Sequence, residues 1–134
     1  MSWEPYSLDH EARKLVKEQN EHSLRESYKM REAVAYGLER FWGEAKRYEA
    51  NQERYLDGDQ ELKAEIEEKK AVYWRNVWDK LAEILGEDIN LPKHDQVKVD
   101  ADELWQLNRD KQEIALAVLI QLCDCLVWWT QRYK

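Results

Sequence analysis

Residues 114–129 read IALAVLIQLCDCLVWW, and only Gln121 and Asp124 in this run are polar. Apolar residues on every side of a helix are typical of a helix that is buried in a fold. A membrane-spanning helix needs about 20 predominantly apolar residues, and a carboxylate near its centre would be costly. We therefore predict that this run is the central core helix of an all-α protein, with no membrane contact.

The rest of the chain has the composition of a helical protein. Its 134 residues suggest a single domain, 1–134. Gly occurs four times and Pro twice, below the roughly 7% and 5% of average proteins, whereas strand folds need turn residues more often. Hydrophobic residues make up 43%, which is enough for a core and argues against disorder of the whole chain. The net charge of −7 excludes a strongly basic DNA-binding protein.

Two breaks are visible along the chain. The sequence Asp-Gly-Asp at 57–59 predicts the first break. Gly58 is expected to adopt the left-handed conformation that ends a helix, and Asp59 is expected to cap the helix that follows. Gly86 begins the second break, and the mixed sequence with a proline that follows it predicts a loop over 87–99.

A third helix is predicted after this loop. Asp100 and Glu103, three residues apart, form a capping box. Apolar residues at spacings of three, four and seven support helices on either side of both breaks. The chain is therefore predicted to form an antiparallel bundle of three long helices, over about 8–57, 60–85 and 101–132.

The first of these helices is too long for the other two to cover. At 1.5 Å per residue it would extend about 74 Å, and residues 17–31 contain few large apolar side chains. Two alternatives remain. The helix breaks or kinks, either between Gln19 and Ser23 or near Gly37, which gives four helices. Otherwise it projects and packs on another chain.

The cysteines and the N-terminus suggest a cytoplasmic protein. Cys123 and Cys125 are two positions apart in a helical pattern, where their side chains diverge, so we interpret them as small buried hydrophobes in a reducing compartment. The first residues lack the basic and apolar regions of a signal peptide.

Familiar catalytic and cofactor-binding motifs are missing from the sequence. His10, His22 and His94 lie too far apart along the chain for a zinc pattern. No nucleophile elbow, P-loop, dinucleotide fingerprint or His-Glu-x-x-His motif occurs. We therefore expect no catalytic residues and no cofactor.

Carboxylates are the remaining candidates for chemistry. Glu61, Glu65 and Glu68 share one side of the predicted second helix, as in all-α magnesium-dependent nucleotide pyrophosphatases, where such oxygen ligands hold the metal. Lysines interleave with them, which is typical of a salt-bridged, solvated face. Asp124 is the single acid of the apolar run, and antiparallel packing of the last two helices places it near Lys63, as a structural ion pair or as a functional acid. These four carboxylates are the candidates for a metal site.

Aromatic and basic residues supply the binding candidates. Most aromatic residues fall on predicted core stripes, but some lie at helix ends or off the stripes, and these are our candidates for contact with a protein partner. They are Trp3, Tyr6, Trp105, Trp128 and Tyr133. Basic residues are most frequent in the first helix, where they are the candidates for contact with nucleic acid. They are Arg13, Lys17, Arg25, Lys29, Arg40 and Arg47.

From Leu104 the chain reads LWQLNRDKQEIALAVL, which resembles the last helix of the small α-helical subunit of type III CRISPR effector complexes. The similarity covers about a fifth of the chain. The family's Trp-Leu-Lys-Arg-Phe-like ending is replaced by residues 118–122, and its Asn-Gly-Leu turn does not occur. The resemblance implies a subunit that lines a nucleic-acid groove in a nucleoprotein complex. The matching positions are Leu107, Arg109, Glu113 and Ala115.

The sequence thus predicts a non-enzymatic all-α subunit or adaptor that packs against other proteins, or against itself, in a larger assembly. Through the resemblance, that assembly is a CRISPR-type complex of antiviral defence. Two alternatives stay open. One is a magnesium-dependent enzyme similar to the nucleotide pyrophosphatases, and the other is a helical module that binds nucleic acid.

Overall fold

The all-α prediction is confirmed. A computed structural model describes residues 5–19, 23–91 and 108–133, and these residues form five α-helices and no strand. The sequence predicts three helices, or four with a break, and the difference lies in the first predicted helix. The five helices are α1 (Pro5–Lys17), α2 (Glu26–Val34), α3 (Leu38–Asp57), α4 (Glu61–Ile89) and α5 (Arg109–Tyr133).

The predicted first helix is three separate helices. α1 ends at Lys17 and α2 begins at Glu26, while Gly37, with a φ of 102°, separates α2 from α3. Residues with a Cβ rarely adopt this φ, so the chain turns at the glycine. The chain therefore breaks in both predicted regions. A single straight helix would leave the apolar faces of α1 and α2 uncovered, whereas the folded-back helices both pack on α5.

The turn between α3 and α4 lies where it is predicted but is built differently. Gly58 has a φ of −93°, so the prediction that it is left-handed is wrong, and Asp59, with a φ of 58°, takes that conformation. The Asp59 N–H donates to the Leu56 carbonyl oxygen (3.2 Å). The Gln60 N–H donates to the Tyr55 carbonyl oxygen (2.8 Å), and the two hydrogen bonds together form a Schellman motif. The prediction that Asp59 caps α4 is also wrong, because the cap position is Gln60 and no side chain bonds there.

The predicted second break is only partly a loop. Gly86 has non-helical backbone angles (φ 67°, ψ −163°), as expected of a break, but helical structure resumes and ends at Ile89. The predicted loop is therefore wrong for residues 87–89, because the buried Ile89 side chain packs this turn against the core. The predicted capping box at 100–103 and most of the loop lie outside the described residues.

The helices pack as two groups that share one core. α3 lies mainly against α4, while α1 and α2 lie mainly against α5. Trp74 and Trp78 of α4 are fully buried, and the Phe41 ring of α3 lies 4.8 Å from that of Trp74 between centroids. Large aromatic rings of α3 and α4 thus fill the centre of the protein.

The last helix, α5, is buried on one side rather than all round. Val118, Leu119 and Leu122 are fully buried, but Asp124 and Trp128 are exposed. By length and composition alone, α5 is the one helix among those described that could cross a membrane, and its most apolar 18 residues have a mean hydropathy of 1.6. Core helices of soluble proteins satisfy the same criterion, and α5 packs against α1 and α2.

The far end of the α3–α4 hairpin extends beyond the core. Past Tyr48 on α3 and before Ala71 on α4, Ala64 is the only buried residue of the hairpin. Leu56 and Leu62, on either side of the turn, are exposed. The α3–α4 hairpin therefore projects from the core at the turn between its two helices.

Two polar residues at the start of α2 are buried in the core. Glu26 is 3% exposed, and its Oε1 accepts a hydrogen bond from the Trp74 Nε1–H (3.2 Å). The Ser27 hydroxyl lies 2.5 Å from that of Tyr73 and accepts a hydrogen bond from the Thr130 hydroxyl (2.7 Å). Neighbouring residues of α2 are thus bonded to α4 and α5, which fixes the position of α2 on the core.

Candidate protein-binding surfaces

Exposed aromatic rings and arginines meet at the C-terminal end of α5. Trp128 and Tyr133, both predicted to contact a partner, are 46% and 41% exposed. Trp129 lies between them, Arg132 follows on the same helix, and Arg13 approaches from α1. We call this surface the aromatic patch: Arg13, Trp128, Trp129, Arg132 and Tyr133.

The rings of the aromatic patch are held by one another and by α1. The Trp129 Nε1–H donates to Oδ1 of Asp9 on α1 (2.8 Å). The Trp128 ring meets the Trp129 ring edge to face, with centroids 4.8 Å apart, and the Tyr133 ring stacks on Trp129 at 5.9 Å. Such pairs contribute roughly 0.5–1.5 kcal/mol beyond the burial of their area. The rings are therefore ordered before a partner binds, which lowers the entropic cost of binding.

Each arginine of the patch lies against an aromatic ring. The Arg132 guanidinium is 4.3 Å from the Trp128 centroid, and the Arg13 guanidinium is 5.5 Å from that of Trp129. The Arg13 Nε–H also donates to the Tyr133 hydroxyl (3.0 Å). Trp, Tyr and Arg are the residues that most often dominate the binding energy between proteins. The patch therefore has both the composition and the exposure of an interface.

A second surface opens between α2 and α3. It is a cleft of about 460 Å³ that we call the basic cleft, and its lining includes Lys29, Tyr36, Arg40, Glu44 and Arg47. Tyr36 lies at the turn between the two helices and is 77% exposed. The cleft thus combines three cations with an accessible aromatic ring.

The ion pairs of the basic cleft have their cations on the outside. Lys29 Nζ lies 3.7 Å from a carboxylate oxygen of Glu26, and the lysine side chain is 56% exposed while that of Glu26 is 5% exposed. Arg40 and Arg47 share Glu44, at 3.5 and 2.7 Å. The arginines are 60% and 55% exposed and the glutamate only 18%. Glu26 and Glu44 lie beneath these cations, whereas Glu32, which also lines the cleft, is exposed, so the lining carries three cations and two carboxylates.

The buried Tyr48 side chain contacts two of these cations. Lys29 Nζ donates to its hydroxyl (3.3 Å), and the Arg47 guanidinium lies 5.1 Å from its ring centroid. Burial raises the pKa of Tyr48 above its ordinary value, and hydrogen bonding to the Glu26 carboxylate raises it further. The hydroxyl therefore stays protonated at neutral pH and acts as a structural support.

The structure brings two of the four predicted metal candidates into one groove and leaves the other two apart. Glu61 is exposed at the start of α4, while Glu65 and Glu68 line a groove beside the end of α1 that also contains Lys69. Glu65 Oε1 lies 4.0 Å from Lys69 Nζ, as in a solvated ion-pair face. Among the residues that the structure describes, no group of three or more His, Cys, Asp or Glu side chains could hold a metal ion.

Asp124, the fourth candidate, pairs with a different residue from the one predicted. Its Oδ1 accepts a hydrogen bond from Nε of Arg31 on α2 (2.6 Å), and its side chain is 59% exposed. The prediction of Lys63 is wrong because it assumes that α4 and α5 pack along their whole length, whereas α2 packs more extensively on α5. Asp124 therefore forms a surface ion pair, which contributes at most ~1 kcal/mol.

The other predicted partner residues are only partly placed. Tyr6 lies in the first turn of α1. Trp3 and Trp105 lie outside the described residues. Of the five predicted partner residues, Trp128 and Tyr133 are therefore the two that the structure brings onto one surface.

The predicted nucleic-acid residues divide into two groups. Three line the basic cleft: Lys29, Arg40 and Arg47. The other three lie on α1 or just before α2: Arg13, Lys17 and Arg25. The break after α1 separates Arg13 and Lys17 from the cleft residues along the chain, whereas Arg25 directly precedes α2 and is four residues from Lys29.

The sequence alone does not single out Tyr36 or Arg132. Tyr36 directly precedes Gly37, and an aromatic residue beside a helix-breaking glycine is a signal that could identify an exposed ring. Arg132 follows Trp128 by four residues, the helical spacing that brings two side chains together.

The chain was compared with known protein families, curated proteins and solved structures. No known protein family matches the chain, and neither curated proteins nor solved structures give a significant match. In the described residues, the chain is an all-α protein of five helices that carries an ordered aromatic patch and a basic cleft.

Proposed function

We propose that this protein is a non-enzymatic helical subunit or adaptor that docks on another protein, or on a second copy of itself, through the aromatic patch. The exposed pair of Trp128 and Tyr133, each beside an arginine, is the observation that carries the proposal. Exposed aromatic groups gathered on one surface mark sites of protein contact, whereas single exposed apolar residues need no explanation.

The geometry of the patch supports docking rather than chemistry. Its aromatic rings are fixed by edge-to-face and stacked contacts, and its arginines offer hydrogen-bond donors at the rim. A partner that covers the rings gains burial of aromatic area without having to order them first. This combination favours a binding subunit.

The kind of assembly is proposed from the sequence resemblance. Arg109, Glu113 and Ala115, through which the chain resembles the small subunits of type III CRISPR complexes, lie in the first two turns of α5. A cytoplasmic nucleoprotein complex of antiviral defence is therefore the assembly we propose to examine first. The aromatic patch lies at the other end of α5, about 24 Å from Glu113 to Trp129 along the helix axis, so the docking proposal does not depend on the resemblance.

Co-purification from the native host tests the proposal. The tagged chain is compared with Trp128→Ala and Tyr133→Ala, and light scattering on the purified chain measures self-association. Truncation of a dominant aromatic contact costs about 2 kcal/mol or more, roughly a 30-fold loss of affinity. We therefore expect the recovered partner, or the self-associated species, to be largely lost in Trp128→Ala.

Tyr55 of the projecting hairpin offers a matched control for Tyr133. A cation also lies near its ring, since Lys63 Nζ is 5.8 Å from the centroid. Tyr55→Ala should leave the partner bound. A monomer in light scattering that recovers no partner would refute the proposal, and so would equal losses in Tyr55→Ala and Tyr133→Ala.

A further inference from the structure

The aromatic patch offers many hydrogen-bond donors and almost no acceptors. Trp and Arg side chains carry N–H donors and no acceptor atom. The Trp128 Nε1–H and the Arg132 guanidinium donate no hydrogen bond to any described residue. Arg13 uses one N–H, which donates to the Tyr133 hydroxyl (3.0 Å). Most donors of the patch are therefore available to a partner, while the one acceptor among its five side chains, the Tyr133 hydroxyl, already accepts a hydrogen bond.

The unpaired charges of the patch are positive. Arg132 on α5 and Arg13 on α1 approach the rings from two helices, and neither forms an ion pair with a described residue. Three carboxylates lie within one turn of the patch residues along these helices, and each already has a partner. The pairs are Asp9 with the Trp129 Nε1–H (2.8 Å), Glu11 with Lys80 (3.2 Å) and Asp124 with Arg31 (2.6 Å). A partner that meets the two guanidinium groups therefore needs acceptor atoms and at least one negative charge.

An extended proline-rich segment presents both acceptors and apolar rings. Proline has no N–H, and the polyproline II conformation makes no internal hydrogen bonds, so the backbone carbonyl oxygens of such a segment are accessible. Aromatic-lined surfaces are a recurring means of binding these segments. One turn of polyproline II is about 9 Å long, and α5 rises about 7.5 Å from Trp128 to Tyr133. A single turn of the segment is therefore long enough to cover the three rings.

We infer that the aromatic patch binds a proline-rich segment of a partner protein, in which an acidic residue lies beside the prolines. The prolines pack against the three rings. A backbone carbonyl oxygen of the segment accepts from the Trp128 Nε1–H, and the carboxylate pairs with Arg132 or Arg13. This inference rests on the proposed docking role of the patch and names the class of partner.

The patch suits such a segment better than a helix or a nucleic acid. An α-helix bonds its own carbonyl oxygens internally, which leaves the donors of the patch without backbone acceptors. A long polyanion is repelled by a protein with a net charge of −7, whereas a segment with one or two carboxylates needs only the two arginines. Polyproline II is also formed before binding, as the contacts between the rings are, so little conformational entropy is lost.

Selection from a phage library of short random peptides on the immobilised full chain tests the inference. We expect enrichment of peptides with two prolines three positions apart and Asp or Glu beside them. An enriched peptide is then synthesised, and its Kd is measured by fluorescence anisotropy. Trp128→Ala should raise this Kd about 30-fold, as for a dominant aromatic contact. Arg132→Gln should raise it about 10-fold, because it removes a charge-assisted hydrogen bond.

The basic cleft supplies a matched pair of control changes. Tyr36 is exposed there, and the Arg40 guanidinium lies 5.7 Å from its ring centroid, so this pair also combines a ring with a cation. Tyr36→Ala and Arg40→Gln should leave the Kd unchanged. On the side of the peptide, replacement of the prolines by alanine should weaken binding at least about 10-fold. Circular dichroism checks that each protein variant keeps its helices.

Four results would overturn the inference. These are no enrichment over the empty matrix, enriched peptides without proline, equal weakening by the control changes, and a second copy of the chain or a single-stranded nucleic acid bound at the patch in place of peptide. Each of these leaves the proposed docking role intact if co-purification or self-association still depends on Trp128. Loss of that dependence shows instead that docking through the patch is wrong.

Discussion

The buried Glu26 attaches α2 to the core, and its replacement measures this attachment. Glu26→Ala leaves the Trp74 Nε1–H buried without an acceptor, at a cost of roughly 1–3 kcal/mol, and it also removes the carboxylate that is hydrogen-bonded to the Tyr48 hydroxyl. It also removes the ion pair with Lys29, whose exposure limits that contribution to less than ~1 kcal/mol. Loss of the negative charge in the first turn of α2 adds about 0.3–1 kcal/mol through the helix dipole. Because a buried charge no longer has to be desolvated, the net loss of free energy of unfolding should be about 2–3 kcal/mol.

Two further variants separate these contributions in urea denaturation followed by circular dichroism. Glu26→Gln keeps one oxygen for the Trp74 N–H but loses the charge and the second acceptor oxygen, so we expect a loss of about 1 kcal/mol. Glu32→Ala, exposed on the same helix, should stay within about 0.5 kcal/mol of the natural chain. The reasoning is refuted if Glu26→Ala is as stable as Glu32→Ala, or if the Gln and Ala changes at position 26 cost the same.

Three more outcomes are expected. Gly37→Ala places a side chain at a φ of 102° and should lower the free energy of unfolding by about 1–2 kcal/mol. Gly43→Ala, within α3 and with nothing within 4 Å of the added Cβ, should raise it by about 0.5–1 kcal/mol. Thermal melts that rank the two variants the other way would contradict this. Burial raises the pKa of Tyr73 and of Cys123 in the folded protein, so the unfolded chain loses these protons first as the pH rises. The free energy of unfolding should not depend on these two groups below about pH 8.5. Above that pH it should fall by about 1.4 kcal/mol per pH unit for each group once that group is ionised in the unfolded chain. Burial raises the pKa of Cys125 as well, so Cys123→Ala should reduce, and not abolish, the loss that begins near pH 8.5 in urea denaturation; an unchanged profile would show that the Cys123 thiol does not contribute. Titration calorimetry with Mg²⁺ should give no binding heat, since the four predicted carboxylates do not converge; a saturable heat that Glu65→Gln abolishes would revive the metal site.

The helices and their breaks follow largely from local chemistry. Spacing of apolar residues predicts the helices on both sides of 57–59, and Gly37 and Gly86 adopt the positive φ that their residue type permits. The error at Gly58 shows the limit of this reasoning. Asp can also adopt the left-handed conformation, and the Schellman hydrogen bonds put Asp59 there.

The pairing of helices depends on distant contacts that periodicity does not encode. Asp124 pairs with Arg31 and not with Lys63, its predicted neighbour, because α2 folds back against α5. The same fold-back creates the basic cleft, since Lys29 and Arg40 lie on opposite sides of the turn at Gly37. By contrast, Trp128 and Tyr133 can be predicted as exposed, because helical spacing alone puts them off the core stripe.

Docking through the aromatic patch is tested most directly by one dissociation constant measured in three proteins. The constant is that between the purified chain and the partner recovered with it, or between two copies of the chain if it self-associates. We expect Trp128→Ala to raise it about 30-fold, as for a dominant aromatic contact, and Tyr55→Ala to leave it unchanged. Equal dissociation constants for the natural chain and Trp128→Ala would contradict docking through this surface.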